Sequence, residues 1–269
     1  MSFRGASAEA YAALSGSLTS ALTGGADAAE VGHDLFSVAA VLRTEPSLRR
    51  VATDQSIDPA AKAGLVRQLF TGKVSAPALT LLTAAVDRRF TKTRDLADIL
   101  EHLGVVALVK SVGKQTGRLN DELFAFGEIV AANPDLRDAL SDPARNVEDK
   151  RGLLSGLLSG KALPATVALV EQSLAGSYRT VAVALAAYQG IAADVHGEKV
   201  ATVRVARPLA DADRDRLVAA LSRQYDREIH LNVVVDPDVL GGIRVEIGDD
   251  VIDGTLASRM DDARRKLAG

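Results

Sequence analysis

The stretch that decides the fold of the C-terminal part reads Leu231-Asn-Val-Val-Val-Asp-Pro-Asp-Val-Leu-Gly-Gly-Ile-Arg-Val-Glu-Ile-Gly-Asp-Asp-Val-Ile-Asp-Gly-Thr-Leu-Ala-Ser-Arg-Met260. Apolar residues alternate with other residues in two runs, 229–235 and 242–248, which predicts two strands that each bury one face. Asp236-Pro237-Asp238 and Gly241-Gly242 separate the runs with residues that favour turns. We therefore expect the two strands to form an antiparallel β-hairpin.

The flanking residues complete a small domain around this hairpin. Residues 200–206 alternate and predict a third strand of the same sheet, and 211–225 has the pattern of an amphipathic helix. Asp253-Gly254 is a further break in the chain after the hairpin, and Asp253 or Thr255 can cap a further helix. That helix would bury an apolar stripe, which consists of Leu256, Met260, Ala263 and Leu267. The expected domain is α+β and spans 197–269.

The order of these features resembles one known family. The succession is strand, D-P-x-x-x-G-G, strand, G-D-x-V-I-D-G-[ST] and helix. It is similar to the delta subunit of F-type ATP synthases, whose mitochondrial counterpart is the oligomycin-sensitivity-conferring protein. The resemblance is specific because turn residues, glycines and apolar positions all match together.

The chain before residue 197 is predicted to be helical. Alanine and leucine dominate, strand-type alternation is absent, and prolines and glycines occur at short intervals. The expected helices are 6–22, 27–44, 46–52, 58–71, 75–88, 92–115, 119–132, 135–141, 146–158, 163–176 and 179–195. The predicted fold is therefore mostly α, with a helical bundle unit in two tandem copies followed by the small α+β domain with its β-hairpin.

An internal repeat supports the two copies. A shift of 88 residues aligns 34–92 with 122–180 without a gap. The matched pairs include Pro46 with Pro134, Asp54 with Asp142, Lys62 with Lys150, Gly72 with Gly160, and Leu81 with Leu169. The ordered match favours a duplication over two amphipathic bundles that look alike by chance. The expected domains are a first bundle at 1–115, a second bundle at 92–196 that shares helix 92–115, and a stalk-binding domain at 197–269.

The composition argues against several classes of protein. A net charge of -3, 4% aromatic residues and no tryptophan give no basis for nucleic-acid binding. Without cysteine, the chain has no disulfide and no thiolate metal or redox site. The most apolar runs, near 78–86 and 105–112, are about half the length that a membrane span needs. We expect no nucleic-acid partner and no direct membrane insertion.

No motif of a catalytic or cofactor site is present. The chain lacks the G-x-x-x-x-G-K-[ST] phosphate-binding loop, and its four histidines lack metal-ligand spacing. The acidic cluster of Asp249, Asp250 and Asp253 is better explained by turn and cap roles. The basic clusters at 88–94 and 264–266 are better explained as solvated or subunit-contact surface. We expect no catalytic residue, no cofactor and no metal.

The family resemblance implies a mechanical role. In that family, the first and fifth helices of the N-terminal bundle hold the N-terminal helix of an alpha subunit, and the C-terminal domain binds the b-type peripheral stalk. By position these helices are 8–22 and 75–88, with 163–176 as the duplicate fifth helix. The partner-binding candidates carried over in this way are Tyr11, Leu14, Ala78, Leu82 and Ala85.

The implied function is that of a non-catalytic subunit that joins the alpha/beta catalytic head to the stalk and resists rotor torque during proton-driven ATP synthesis. A beta subunit would lie nearby, and the complex would place the chain at the cytoplasmic face of the cell membrane. Two alternatives stay open at this point: an all-α scaffold or adaptor unrelated to ATP synthase, and an enzyme with an unrecognised site. The sequence also leaves open whether the second bundle holds an alpha helix or is a spacer.

Overall fold

The computed structural model describes residues 3–239 and 241–255. They form two compact units that divide between Tyr188 and Gln189. The N-terminal unit is helical, and the C-terminal unit contains a small mixed sheet. The mostly α fold class is thus confirmed, while the helix expected after Thr255 lies outside the described residues.

The helices lie close to the predicted positions. Their bounds are α1 Ala6–Thr23, α2 Ala28–Thr44, α3 Pro46–Thr53, α4 Pro59–Phe70, α5 Ala76–Val86, α6 Asp95–Ser111, α7 Thr116–Ala132, α8 Pro134–Ser141, α9 Val147–Leu158, α10 Pro164–Gln172, α11 Val181–His196 and α12 Asp211–Tyr225. The expected single helix 92–115 is wrong at its C-terminal end. The α-helix stops at Ser111, and Gly113, with φ of 52°, interrupts the chain before a short 3-10 turn.

Five consecutive helices recur in the same order with an offset of 88 residues. Each helix from α2 to α5 begins 88 residues before its counterpart from α7 to α10, and α1 and α6 end 88 residues apart. We call α1–α5 the first helical set and α6–α10 the second helical set. An equivalent contact recurs as well. The Asp34 carboxylate accepts a hydrogen bond from Ser75 N at 2.7 Å, and Glu122 accepts one from Leu163 N at 2.8 Å.

Helices α2 and α6 approach each other very closely. Gly32 and Gly104 face one another at the crossing, because a Cβ on either residue would lie 3.1 Å from the carbonyl oxygen of the other. A Cβ on Gly104 would also lie 2.6 Å from the Phe36 ring. The two glycines therefore allow α6 to pack into the core formed by the first helical set.

The sheet of the C-terminal unit has four strands in the order β2-β1-β3-β4. Their bounds are β1 Glu198–Val205, β2 Glu228–Val235, β3 Ile243–Ile247 and β4 Asp250–Asp253. Strand β1 pairs with β2 in parallel and with β3 antiparallel. The predicted hairpin between 229–235 and 242–248 is therefore wrong, because β1 lies between these strands.

The connections explain the difference. Helix α12 joins β1 to β2, and a crossover of this length allows the two strands to run parallel. The hairpin instead joins β3 to β4 through Gly248 and Asp249, with Gly248 at φ of 58°. Strand β4 occupies residues that the sequence assigned to a turn and a cap. Asp253 still accepts hydrogen bonds from the Thr255 amide and hydroxyl groups, as a turn or cap residue would.

Candidate helix-binding groove

A cleft of about 430 Å³ runs between α1 and α5. Its lining is uncharged and consists of small or apolar residues, namely Ser17, Ala21, Gly24, Gly25, Ala26, Ala76, Pro77, Thr80, Leu81 and Ala84. Small side chains leave space between two neighbouring helices, and the groove that results can accept apolar side chains of another helix. The family resemblance implied that these two helices form the surface that binds the alpha-subunit helix.

The predicted partner-binding residues lie mostly beneath this cleft. Leu14, Ala78, Leu82 and Ala85 are at most 1% exposed. In the structure they form part of the interior, so they support the groove and do not offer side chains to a partner. An Ala78→Glu change would place a carboxylate in the core and is therefore unsuitable as a test of the groove. Tyr11 is half-buried, and its hydroxyl lies 3.0 Å from His102 Nε2.

The outer face of the groove was missed from the sequence. Ser17 and Thr80 are exposed, and Ala21 and Ala84 are half-buried. All four line the cleft between α1 and α5. Helical periodicity could have separated Thr80 from the buried face, since Leu81, Leu82 and Ala85 define that face. It could not show that α1 runs beside α5.

A second cleft, of about 510 Å³, lies between α4 and α5. Its lining residues are Pro59, Ala60, Ala63, Arg67, Leu79, Thr80, Thr83, Ala84 and Asp87. Arg67 and Asp87 bring two charged groups to this cleft. Because an apolar helix face would have to desolvate them, the uncharged cleft between α1 and α5 is the better site for such a helix.

A buried polar cluster lies where α6 meets the end of the second helical set. The Glu101 side chain is 3% exposed and pairs with Arg43 Nη2 of α2 at 2.5 Å. Its Oε1 accepts a hydrogen bond from the Tyr188 hydroxyl at 2.9 Å, and its Oε2 accepts one from Ser177 N at 2.9 Å. The Gln172 amide approaches Oε1 at 3.4 Å. One carboxylate therefore connects α2 with residues that follow α9.

The electrostatics of this cluster follow from its burial. Burial and the Glu101 charge raise the pKa of the Tyr188 hydroxyl and bring the pKa of Tyr178 to about 12. Burial also raises the pKa of Asp98, even though Arg43 Nη2 lies 3.2 Å from its carboxylate. Both tyrosines remain neutral donors near neutral pH, which suits a structural role.

His102 lies in an aromatic contact beside α1. Its ring centroid is 4.9 Å from that of Tyr11 and 6.0 Å from that of Phe3. Burial lowers the pKa of the imidazole from 6.5 to about 4. His102 is therefore neutral at physiological pH and supports the packing of α1 against α6.

We expect His102 to make folding depend on pH. Between pH 6.5 and about 4 the unfolded chain binds a proton that the folded chain does not, so the free energy of unfolding should fall as pH decreases through this window. The His102→Gln variant keeps a hydrogen-bonding group near Tyr11 and should lose this part of the pH dependence. Urea unfolding at about pH 7 and about pH 4.5 measures it. An equal loss of stability in both proteins would contradict the assignment.

The described residues show no sign of a metal site or a membrane span. Among residues 3–239 and 241–255, no group of three or more His, Asp or Glu side chains is placed to hold a metal ion. No helix in this part of the chain is both long enough and apolar enough to cross a membrane. The uncharged groove between α1 and α5 is the candidate functional surface.

Comparison with known proteins agrees with the fold. The family model for the ATP synthase delta (OSCP) subunit matches residues 103–267. A protein named ATP synthase subunit delta from a Nocardioides species is 56% identical over 269 residues, which cover 100% of this chain and 98% of that protein. Proteins of the same name from Streptomyces coelicolor and Thermobifida fusca are 43% and 40% identical, and cover 98% and 91% of this chain and 98% and 92% of their own length. The chain belongs to the ATP synthase delta (OSCP) subunit family.

Proposed function

We propose that the groove between α1 and α5 holds the N-terminal helix of an ATP synthase alpha subunit. The chain is a non-catalytic peripheral-stalk subunit of F-type ATP synthase, as its family membership shows. The observation that carries the groove assignment is its uncharged lining of small and apolar residues. An amphipathic helix can bury apolar anchors in such a groove without leaving a charge desolvated.

The C-terminal unit supplies the second contact of the proposed link. We assign it to the end of a b-type stalk subunit on the basis of the family resemblance. Val251 and Ile252 of the edge strand β4 are 53% and 39% exposed, so this strand offers apolar surface to a neighbour. With an alpha helix in the groove and the stalk on the C-terminal unit, the chain joins the head to the stalk and resists rotor torque without a chemical step.

The same proposal sets the domain organisation and the location. The first bundle spans 1–115, the second spans 92–196 and shares the helix around α6, and the stalk-binding domain spans 197–269. A beta subunit lies near the proposed alpha contact. The complex holds the chain as a peripheral subunit at the cytoplasmic face of the cell membrane. An all-α scaffold unrelated to ATP synthase is not favoured, because the family match is established.

The groove can be tested with a labelled peptide that matches the N-terminal helix of the alpha subunit from the same complex. The Ser17→Glu variant should weaken binding to the full chain by at least about 10-fold, which corresponds to about 1.4 kcal/mol. Ser17 is exposed and lines the cleft between α1 and α5 but not the cleft between α4 and α5, so the fold should persist. Fluorescence anisotropy measures the affinity, and circular dichroism checks the helix content.

A matched control comes from the neighbouring cleft. Ala60 is also exposed but lines only the cleft between α4 and α5. The Ala60→Glu variant should bind the peptide within about 2-fold of the unaltered chain. If Ala60→Glu weakens binding and Ser17→Glu does not, the helix lies in the other cleft and the proposal is wrong.

A further inference from the structure

The groove between α1 and α5 has a positional counterpart in the second helical set, between α6 and α10. The offset of 88 residues identifies the equivalent positions. The pairs are Ser17 with Val105, Ala21 with Val109, Thr80 with Ala168, and Ala84 with Gln172. On the α1 side, a serine and an alanine are thus replaced by two larger, apolar valines. A cleft filled by larger apolar side chains has less space for a partner.

The burial of these positions differs between the two sets. In the first helical set, Ser17 and Thr80 are exposed. In the second, Val105 and Val109 are 0% exposed, and Ala168 is 8% exposed. The counterparts of Ser17, Ala21 and Thr80 are therefore interior residues in the second helical set.

Helix α6 explains why the counterpart groove is closed. In its own set α6 takes the place of α1 and packs against α10, yet it also packs against α2, and Leu100 and Leu103 belong to the core of the first helical set. Helix α1 packs against α5 and α6 and leaves Ser17 exposed. Because α6 packs against helices of both sets, it has no comparable exposed face.

The buried polar cluster holds this arrangement. Gln172, at the end of α10, is 7% exposed and turns its amide towards Glu101 of α6 at 3.4 Å. Arg43 of α2 pairs with the same carboxylate. To reopen a groove between α6 and α10, a partner would have to break the Gln172–Glu101 hydrogen bond beside this buried ion pair. A buried polar group that loses its hydrogen-bond partner is unfavourable.

We infer that the chain offers one helix-binding groove, in the first helical set, and that the second helical set is a spacer between this groove and the C-terminal unit. The inference rests on the proposed function of the groove. The family model alone would favour a groove in the second helical set. It matches residues 103–267 and so covers most of the second helical set but not α1–α5. As a spacer, the second helical set adds no second contact with an alpha subunit.

A matched pair of variants tests the number and the place of the grooves. Ala76 and Pro164 are equivalent, and both are exposed at the first position of α5 and α10. The full chain should bind the alpha-subunit peptide with a stoichiometry of one in titration calorimetry. Ala76→Glu should weaken binding by at least about 10-fold, and Pro164→Glu should leave the affinity within about 2-fold.

The other outcomes are distinguishable. A stoichiometry of two, or a loss of affinity in Pro164→Glu with none in Ala76→Glu, would overturn the assignment of the second helical set as a spacer while leaving helix binding intact. No binding by the unaltered chain, whose fold is confirmed by circular dichroism, would overturn the proposed groove itself and this inference with it. Binding of one peptide per chain that is weakened only by Ala76→Glu supports both the proposed groove and the assignment of the second helical set as a spacer.

Discussion

The Glu101→Leu variant should lose about 3–5 kcal/mol of the free energy of unfolding of the helical unit. The change removes the carboxylate that pairs with Arg43 and takes the hydrogen-bond acceptor from the buried Tyr188 hydroxyl. Each buried donor that loses its partner costs about 1–3 kcal/mol, and Asp98 compensates Arg43 only in part. Urea denaturation followed by circular dichroism at 222 nm measures the loss.

The control for this variant is an exposed glutamate on a neighbouring helix. Glu128 of α7 is exposed, so Glu128→Leu should change the free energy of unfolding by no more than about 0.5 kcal/mol. Glu101→Gln, which keeps the shape but not the charge, should lie between the two. A denaturation midpoint in Glu101→Leu that equals that of Glu128→Leu would show that the buried cluster contributes nothing.

The Val203→Asp variant should unfold the C-terminal unit and leave the helical unit folded. Val203 is 0% exposed on the central strand β1, between Val233 of β2 and Val245 of β3. A carboxylate there has no place in the hydrophobic core, so the loss should be at least about 4 kcal/mol. Limited proteolysis should then cleave the chain after residue 196, and circular dichroism should retain most of the helix signal.

A valine on the edge strand provides the matched control. Val251 of β4 is 53% exposed, so Val251→Asp introduces the same side chain at little cost. Val233 is half-buried on the edge strand β2, so Val233→Asp should give an intermediate effect. Equal protease resistance of Val203→Asp and Val251→Asp would contradict the sheet order found here.

Local sequence signals predicted the helices well because their causes are local. Asp58, with Pro59 at the first helical position, caps α4 through the Ala60 amide. Gly72 and Gly160, expected at helix ends, take φ values of 75° and 71° there. The repeat was also visible, since an offset in sequence persists as an offset in helix bounds. None of these signals depends on which elements become neighbours.

The sequence was insufficient where the result depended on which helices or strands are adjacent in the fold. Alternation identified Ile229, Leu231 and Val245 as one buried face, and these residues do lie in one core. Alternation cannot say which strand is adjacent, so it did not reveal that β1 lies between β2 and β3. For the candidate groove, the family resemblance pointed to α1 and α5 and to the residues Leu82 and Ala85. Both residues are interior in the structure, because the apolar stripe of an amphipathic helix marks its buried face.

By itself, the sequence determined the helices, the strands β1 to β3, the repeat and the family, because caps, breakers and periodicity act within a few residues of one another. Only the tertiary structure decided the order of the strands and which of two equivalent grooves is open. Both depend on contacts between residues far apart in the chain: β1 with β2 and β3, and α6 with α2 and α10. The two helical sets have the same helices in the same order, yet they differ in exposure because α6 packs against α1, α2 and α10, whereas α1 packs against α5 and α6.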